Sequence, residues 1–525
     1  MESLEGIESL PRGERIDMKY IVAYDLGTGG IKTSLFDENG ESIVSCFAQC
    51  ETYYPAPNFR EQKPEDWWDI LKKTTKELLS NAVVQINDIV ACACSGHSLG
   101  VVPIDADGRL LLGSVPIWSD ARAMQEASDV LATTEEVDRW YEMTGNGFPA
   151  GLYSAFKILW YQRHMPEIYE KASMFIGTKD YLNFRLTGVL CTDHSYATGS
   201  GVYDLLKRNY DENTIKKFHL KTQVFPPLKE SSEIIGTVLP QVAKDLGLPE
   251  GCAVAAGGVD NACMAAGSGC VQDGMGYTNL GTSAWIAVVG SKPVLDTKTK
   301  PYVFGAIQKG FYVSAQSIFS AGNTYRWIRN QICNDLIEAE HNGGENSYVA
   351  MDRLAQTSPP GANGLIMTPT LAGGNLLDKS IHARGTLSGL DLKNTRADVI
   401  RASLEGVCLG LKLALSELEA QVRLKDSMLI VGGGAKSVFW RSLFADIYEK
   451  SITSSRVGEN AGSIGAMACA AVGIGIWNDY SPLLEINHPI DTISPNIEHQ
   501  ALYRNLFLAY KKIAEFQSDL AEYRS

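Results

Sequence analysis

Asp25 and Asp260 are the two carboxylates whose neighbours give them a chemical task. Asp25 ends the apolar run 20–25 (YIVAYD) and is followed at once by Leu26-Gly27-Thr28-Gly29-Gly30. Asp260 lies in Gly257-Gly258-Val259-Asp260-Asn261, again behind an apolar run. Two more turns share this form: Gly281-Thr282-Ser283 after residues 277–280, and Gly432-Gly433-Gly434 after residues 428–431. Without a Cβ, successive backbone N–H groups can converge on one point, and a following helix adds its positive end. Threonine or serine beside the glycine adds a hydroxyl donor. Glycine turns at 27–30, 257–258, 281–283 and 432–434 together point to a phosphate-rich ligand held by neutral amides. Asp25 beside such a cradle would be repelled unless a cation intervened, and Mg2+ shared with phosphate oxygens resolves the conflict. Asp260, near an incoming hydroxyl, would take its proton as a phosphoryl group transfers. Each aspartate also has an ordinary alternative as a turn or helix cap. Neither the Walker spacing nor a dinucleotide fingerprint is present.

These residues need strands behind them. Runs 20–25, 31–36 and 43–47, with the turn signal Asp37-Glu38-Asn39-Gly40, predict an antiparallel meander. Residues 88–94 and 101–104 predict further strands, and Trp67, Leu71 and Leu78 put a helix over 65–79. Residues 262–267 and 439–448 predict helices, the second burying Trp440, Leu443, Phe444 and Ile447 on one face. Leu-Gly-Thr occurs at 26–28 and again at 280–282, each time between two apolar runs. That spacing predicts an internal duplication, two similar domains facing a cleft.

The chain of 525 residues is too long for one core. Its 47 basic and 61 acidic residues leave a charge of −14, which argues against nucleic acid or an anionic membrane surface as partner. Eleven cysteines show no paired framework, and Cys92 and Cys94 fall on one face of a strand. They read as small buried residues in a reducing cytoplasm. No apolar stretch is long enough to cross a bilayer, and residues 1–18 read as a loose acidic tail.

From about Lys19 to Ile476 the sequence resembles the FGGY carbohydrate kinases, and xylulose kinases most closely. The resemblance rests on residues 24–36 (YDLGTGGIKTSLF), 118–122 (WSDAR), 154–169 (SAFKILWYQRHMPEIY) and 257–261 (GGVDN). Residues 280–283 (LGTS), 385–405 (GTLSGLDLKNTRADVIRASLE) and 432–440 (GGGAKSVFW) complete it. It implies an α/β fold of two actin-like ATPase domains of ribonuclease H type, with ATP and sugar meeting in the cleft. By that resemblance Asp25 is the metal- and phosphate-associated aspartate and Asp260 the catalytic base. Gly27, Thr28, Gly281 and Thr282 fall on phosphate loops, while Gly322, Gly433, Gly434, Lys436 and Ser437 fall on nucleotide-binding segments. Trp118, Asp120 and Asn261 match the sugar-side wall, and His97, Ser98 and Leu99 occupy a substrate segment. Lys157 and Trp160 match a family signature that packing would also explain.

The departures concern the acceptor. Xylulose kinases typically carry Gly-Gln-Met-His-Gly where this chain has Gly96-His97-Ser98-Leu99-Gly100. The family's Gly-Glu-Arg after Pro-x-Leu is here Ala372-Gly373-Gly374-Asn375, without charge. The expected domains are a tail at 1–18, a sugar-side domain at 19–262, a nucleotide-side domain at 263–480 and an extension with a terminal helix at 481–525. The expected activity is transfer from ATP, with Mg2+, to a small sugar or polyol, D-xylulose first. L-xylulose, erythritol and gluconate are alternatives, and an actin-like ATPase without a sugar substrate is the competing class. A homodimer is favoured over a monomer, in the cytoplasm.

Overall fold

A two-residue turn at Thr28 and Gly29 folds the first two apolar runs against each other, and one sheet grows from that hairpin. The computed structural model describes residues 18–523, so the expected tail, except Met18, lies outside the described residues. Strands β1 (Tyr20–Gly27), β2 (Gly30–Asp37) and β3 (Ser42–Gln49) form the antiparallel meander. Three more strands follow: β4 (Ile89–Gly96), β5 (Ile234–Thr237) and β6 (Ala253–Val259). The order is β5-β6-β4-β1-β2-β3, with β4 parallel to β1 and β6 parallel to β4. Helices α1 (Pro64–Asn81) and α2 (Thr178–Thr187) belong to this lobe, and α3 (Asp260–Gly267) leaves the end of β6.

The second sheet repeats the plan. Strands β7 (Met275–Leu280), β8 (Ala284–Gly290), β9 (Tyr302–Gly305) and β10 (Tyr312–Ile318) are antiparallel neighbours. Strands β11 (Ser427–Val431) and β12 (Ser451–Ser454) run parallel to β7, and β13 (Asp491–Ile493) closes the edge. The order is β9-β10-β8-β7-β11-β12-β13. Stripped of edge strands, both sheets read third-second-first-fourth-fifth, with the first three antiparallel and the rest parallel. The duplication foreseen from Leu-Gly-Thr is thus a duplication of topology. Helices α4 (Gly322–Ile332), α5 (Ser347–Ala355), α6 (Val438–Tyr448), α7 (Ala461–Gly473) and α8 (Ile497–Ala521) complete the second lobe. Among the described residues no helix is long and apolar enough to cross a membrane.

Strand alternation divides β1 between two cores. Val22 and Tyr24 pack with Trp67 and Leu71 of α1 and with Cys92 and Cys94. Ile21 and Ala23 join a cluster holding α3, α7, Tyr277, Val431 and Leu429. That cluster is where the lobes meet, through two helices crossing backbone to backbone. A Cβ on Gly465 would lie 2.1 Å from the Cys263 carbonyl oxygen, and one on Gly267 would lie 1.8 Å from that of Ala461. Neither obstacle is a side chain that can turn aside. Gly465→Ala is therefore expected to destabilise the chain by about 1–3 kcal/mol, despite alanine's better helix propensity. A urea unfolding midpoint at or above the wild-type value would refute the close crossing.

One reading of the sequence needs correction. Gly257 and Gly258 do not form a phosphate turn; they lie inside β6. Gly257 has φ +71°, and a Cβ there would lie 1.9 Å from the Cys94 carbonyl oxygen. Here glycine serves the approach of two strands, and Asp260 follows directly as the first residue of α3.

Candidate active site

In the first lobe, the hairpin tip is held from two sides. Gln62 donates its amide to the Thr28 carbonyl at 2.8 Å and accepts the Trp67 indole N–H at 2.9 Å. The Trp118 indole donates to the Thr28 hydroxyl at 2.9 Å. An indole N–H can only donate, so Thr28 Oγ1 must accept and keeps its own proton for another acceptor. Trp118 itself is 39% exposed, its ring free to meet a ligand.

Asp25 and Asp260 are both half-buried. Burial raises the Asp25 carboxyl above the ordinary value, with Ser95 and Lys32 opposing. The start of α7 leaves it almost no room: a Cβ on Gly462 would lie 2.4 Å from Asp25 Oδ2. Asp260 is pushed up to about 7, first by burial and further by the Asp25 charge, while hydrogen bonds from Asn261 hold it back. Those bonds come from the Asn261 backbone N–H and side-chain amide, both 2.8 Å from Asp260 Oδ1. Asp260 thus sits at a helix start, as a capping aspartate would, and still faces a second carboxylate.

The second lobe encloses a cavity of about 640 Å³. All seven residues expected there for the nucleotide line it: Gly281, Thr282, Gly322, Gly433, Gly434, Lys436 and Ser437. Close backbone approach builds its mouth. Gly322 N–H donates to the Gly281 carbonyl at 3.0 Å, and a Cβ on Gly322 would lie 2.6 Å from that oxygen. Gly27 and Thr28 do not line this cavity; they belong to the first-lobe hairpin. Sequence reasoning missed Tyr325, Arg326, Asn346, Tyr348 and Asp352, which also line it. Asp352 accepts from the Tyr325 hydroxyl at 2.7 Å and from Ser437 at 2.6 Å, tying α4, α5 and the cap of α6 together. Trp440, expected only to pack, is buried and lines the cavity as well.

A second cavity, about 280 Å³, lies between segments of both lobes. Trp140, Phe148, Tyr302 and Phe319 give it aromatic walls, with Phe148 stacked on Tyr302 at 4.5 Å. Tyr302 feels the Asp260 charge. Gly374 and Asn375, from the segment where the resemblance led one to expect charged residues, line it together with Leu376. Its one Lys or Arg, Lys300, is paired with Asp138 at 2.7 Å.

Four expected acceptor residues are not in a cleft. His97 is 1% exposed, its ring edge-on to Trp67, and burial lowers its pKa to about 4. Leu99 is sealed in a core with Phe156 and Val202, and Ser98 is buried beside it. Asp120 is fully buried, gripped by Arg122 at 2.8 Å on each oxygen and by the Arg60 N–H. It ties two loops together and has no lone pair to spare for a sugar. Lys157 is buried likewise, donating to the Leu99 and Ile117 carbonyls, and Trp160 stacks on His164.

Two ribonuclease H-like sheets of like topology, the second carrying a nucleotide-sized cavity, define an actin-like ATPase fold. Residues 20–267 match the N-terminal domain of the FGGY family of carbohydrate kinases, and residues 276–474 match its C-terminal domain. The chain belongs to the FGGY family and is an ATP-dependent carbohydrate kinase. It is 29% identical over 504 residues to the xylulose kinase of Bacillus subtilis strain 168, covering 96% of this chain and 98% of that one. The xylulose kinase of Escherichia coli K12 is 30% identical over 458 residues, 86% of this chain and 89% of that one. In fold it is similar to a gluconate kinase from Lactobacillus acidophilus, with TM-score 0.88, 24% identity and coverage of 97% and 100%.

Proposed function

We propose that the chain phosphorylates a small neutral ketose, D-xylulose first, and that Asp260 is the general base. The observation that carries the reading is a carboxyl held near pKa 7 beside the lobe junction, where it can be deprotonated yet still basic. The acceptor hydroxyl gives its proton to Asp260 as its oxygen bonds to the terminal phosphorus of ATP. The bond from that phosphorus to the bridging oxygen breaks, and ADP leaves with the electron pair. The 640 Å³ cavity takes the adenosine end, and the two Leu-Gly-Thr hairpins take the phosphates. The Thr28 hydroxyl, accepting from Trp118, keeps a proton that can be donated to that negative charge.

Mg2+, when bound, would neutralise charge on the phosphates. Asp25 fits it: a hard carboxylate oxygen beside a phosphate cradle suits an ion that keeps most of its waters.

The 280 Å³ cavity is the acceptor end. Aromatic faces suit the C–H faces of a sugar, and its only cation is already paired, so a sugar acid would bury an uncompensated carboxylate. That favours xylulose over gluconate. Eleven free thiols suit a reducing cytoplasm. The test is ATP consumption across D-xylulose, L-xylulose, erythritol and gluconate. Turnover is expected only with neutral acceptors; slow hydrolysis unchanged by every sugar would sink the reading.

A further inference from the structure

β6 pairs with β4 in register up to Ala255 opposite Ala93, then resumes with Gly258 opposite Ser95. Three steps along β6 match two along β4, so one extra residue bulges out just ahead of Asp260. A bulge frees backbone groups from the ladder, and in a buried place each needs a new partner. The Ala256 N–H finds the Glu233 carbonyl at 2.9 Å, and three further groups are supplied by one buried polar cluster. The Ala256 carbonyl accepts from Lys179 Nζ at 3.1 Å and from the Asn183 amide at 2.8 Å. Gly257 N–H donates to the Ser231 carbonyl at 2.9 Å. The Val259 N–H donates to Ser195 Oγ, also at 2.9 Å.

Behind these contacts stands a chain of charge. Ser195 Oγ donates to Asp193 Oδ2, which also accepts from Ser195 N–H and from Ser231 Oγ, each at 2.8 Å. Lys179 Nζ bridges Asp193 at 2.9 Å and Asp180 at 2.6 Å, and Asp180 in turn accepts the Gly177 N–H at 3.0 Å. None of Lys179, Asp180, Asn183, Asp193, Ser195 and Ser231 is more than 2% exposed. Three charges sealed in an interior are poor stabilisers compared with apolar packing. A cluster of this cost needs a reason other than stability. Its outlet supplies one: the Ser195 acceptor fixes the residue immediately before Asp260.

We propose that Lys179, Asp193 and Ser195 are positioning residues for Asp260, the Ser195 hydroxyl setting where that carboxylate meets the acceptor hydroxyl. Asp193 orients Ser195 by accepting its hydroxyl hydrogen bond, which leaves an oxygen lone pair for the Val259 N–H. Lys179 in turn holds Asp193. The inference rests on the reading of Asp260 as the base, and goes beyond it by naming what aims the base. It also explains why Gly257 and Gly258 stand where the sequence suggested a cradle: they make the bulge.

The test uses the full chain with ATP and D-xylulose, or with the panel's best acceptor if wild type turns that over instead. Ser195→Ala is expected to lower kcat about 10–100-fold, as a misaimed group does. The KM for ATP should stay within about twofold, since the cavity for it lies in the other lobe. Its acid limb of activity should also shift, because Asp260 would move relative to Asp25 and water. Ser195→Thr, which keeps the hydroxyl, should restore most of kcat. Ser195→Cys keeps the volume but is a weak acceptor, and carries the test should the alanine chain not fold. In an Asp260→Asn background, Ser195→Ala should cost nothing further, because the group it aims is gone. A folded Ser195→Cys chain with wild-type kcat, or a full additive loss in the double variant, overturns the proposal. Near-normal turnover by Asp260→Asn alone removes the base assignment instead, so the two failures are told apart.

Discussion

Asp260→Asn is expected to lower kcat by about 10²–10⁴ while making the chain harder to unfold at pH 8. The two effects have one cause. Burial and the Asp25 charge lift the folded carboxyl to about 7, from an ordinary aspartate value of 3.8. Between roughly pH 4 and 7 the folded state therefore keeps a proton that the unfolded state has lost. Stability falls as pH rises through that window, and above it the folded chain carries a strained carboxylate. Asparagine is never charged, so the variant should gain on the order of 1–2 kcal/mol at pH 8, after discounting for contact with water. Urea midpoints at pH 5 and pH 8 measure it: the gain should appear at pH 8 and shrink at pH 5. For wild type, kcat/KM should fall about tenfold per pH unit below 7, because the base must be unprotonated. A variant that is less stable at pH 8, or a wild-type rate flat down to pH 5, would contradict this electrostatic picture.

Gly462→Ala should lower kcat about 100-fold with little change in stability. The added methyl would lie 2.4 Å from Asp25 Oδ2 and 2.8 Å from its Cγ, so something must move. Unlike the carbonyls facing Gly465 and Gly267, the obstacle is a side chain that can rotate. Asp25 would swing out of its seat, and a displacement near 1 Å at a reacting centre can cost about 10²-fold. The helix itself gains slightly from alanine. The same substitution three residues apart on α7 thus separates function from folding: Gly465→Ala for stability, Gly462→Ala for rate. Titration with Mg2+ gives the second readout, since a displaced carboxylate should raise the concentration needed for half-maximal rate. Unchanged kcat and Mg2+ demand would show that the exact seat of Asp25 is unimportant.

Local signals in the sequence carried the two hairpins and the nucleotide cavity. Glycine with Thr or Ser behind an apolar run marks a turn within a few residues, and Gly281, Thr282, Gly433 and Gly434, so marked, line one cavity with Gly322, Lys436 and Ser437, which the family resemblance added. Tyr325, Arg326, Asn346, Tyr348 and Asp352 carry no such mark. They come from helices whose facing depends on packing, and Asp352 is chosen by partners 27 and 85 residues away. The bulge at Gly257 looks like a turn in sequence, because both need a glycine with positive φ; only the Cys94 carbonyl, far off in the chain, tells them apart. His97 and Asp120 stand outside both cavities for a related reason. Each looked available, but Trp67 covers the first and Arg60 and Arg122 saturate the second. Polar residues near a site are legible; whether they keep a free lone pair is decided by the fold.

The repeated hairpins match in backbone and differ in sign. One residue before Leu26 stands Asp25; one before Leu280 stands Asn279, nearly the same shape without the charge. Asn279 Oδ1 lies against the Gly432 turn, 2.7 Å from where a Cβ would project. A carboxylate at position 279 as well would have put negative charge beside the second phosphate turn too, repelling a polyanion there. With one turn left uncharged, the molecule would be vectorial: a nucleotide entering the second-lobe cavity would have a single polarity in which a cation on its phosphates could meet a carboxylate.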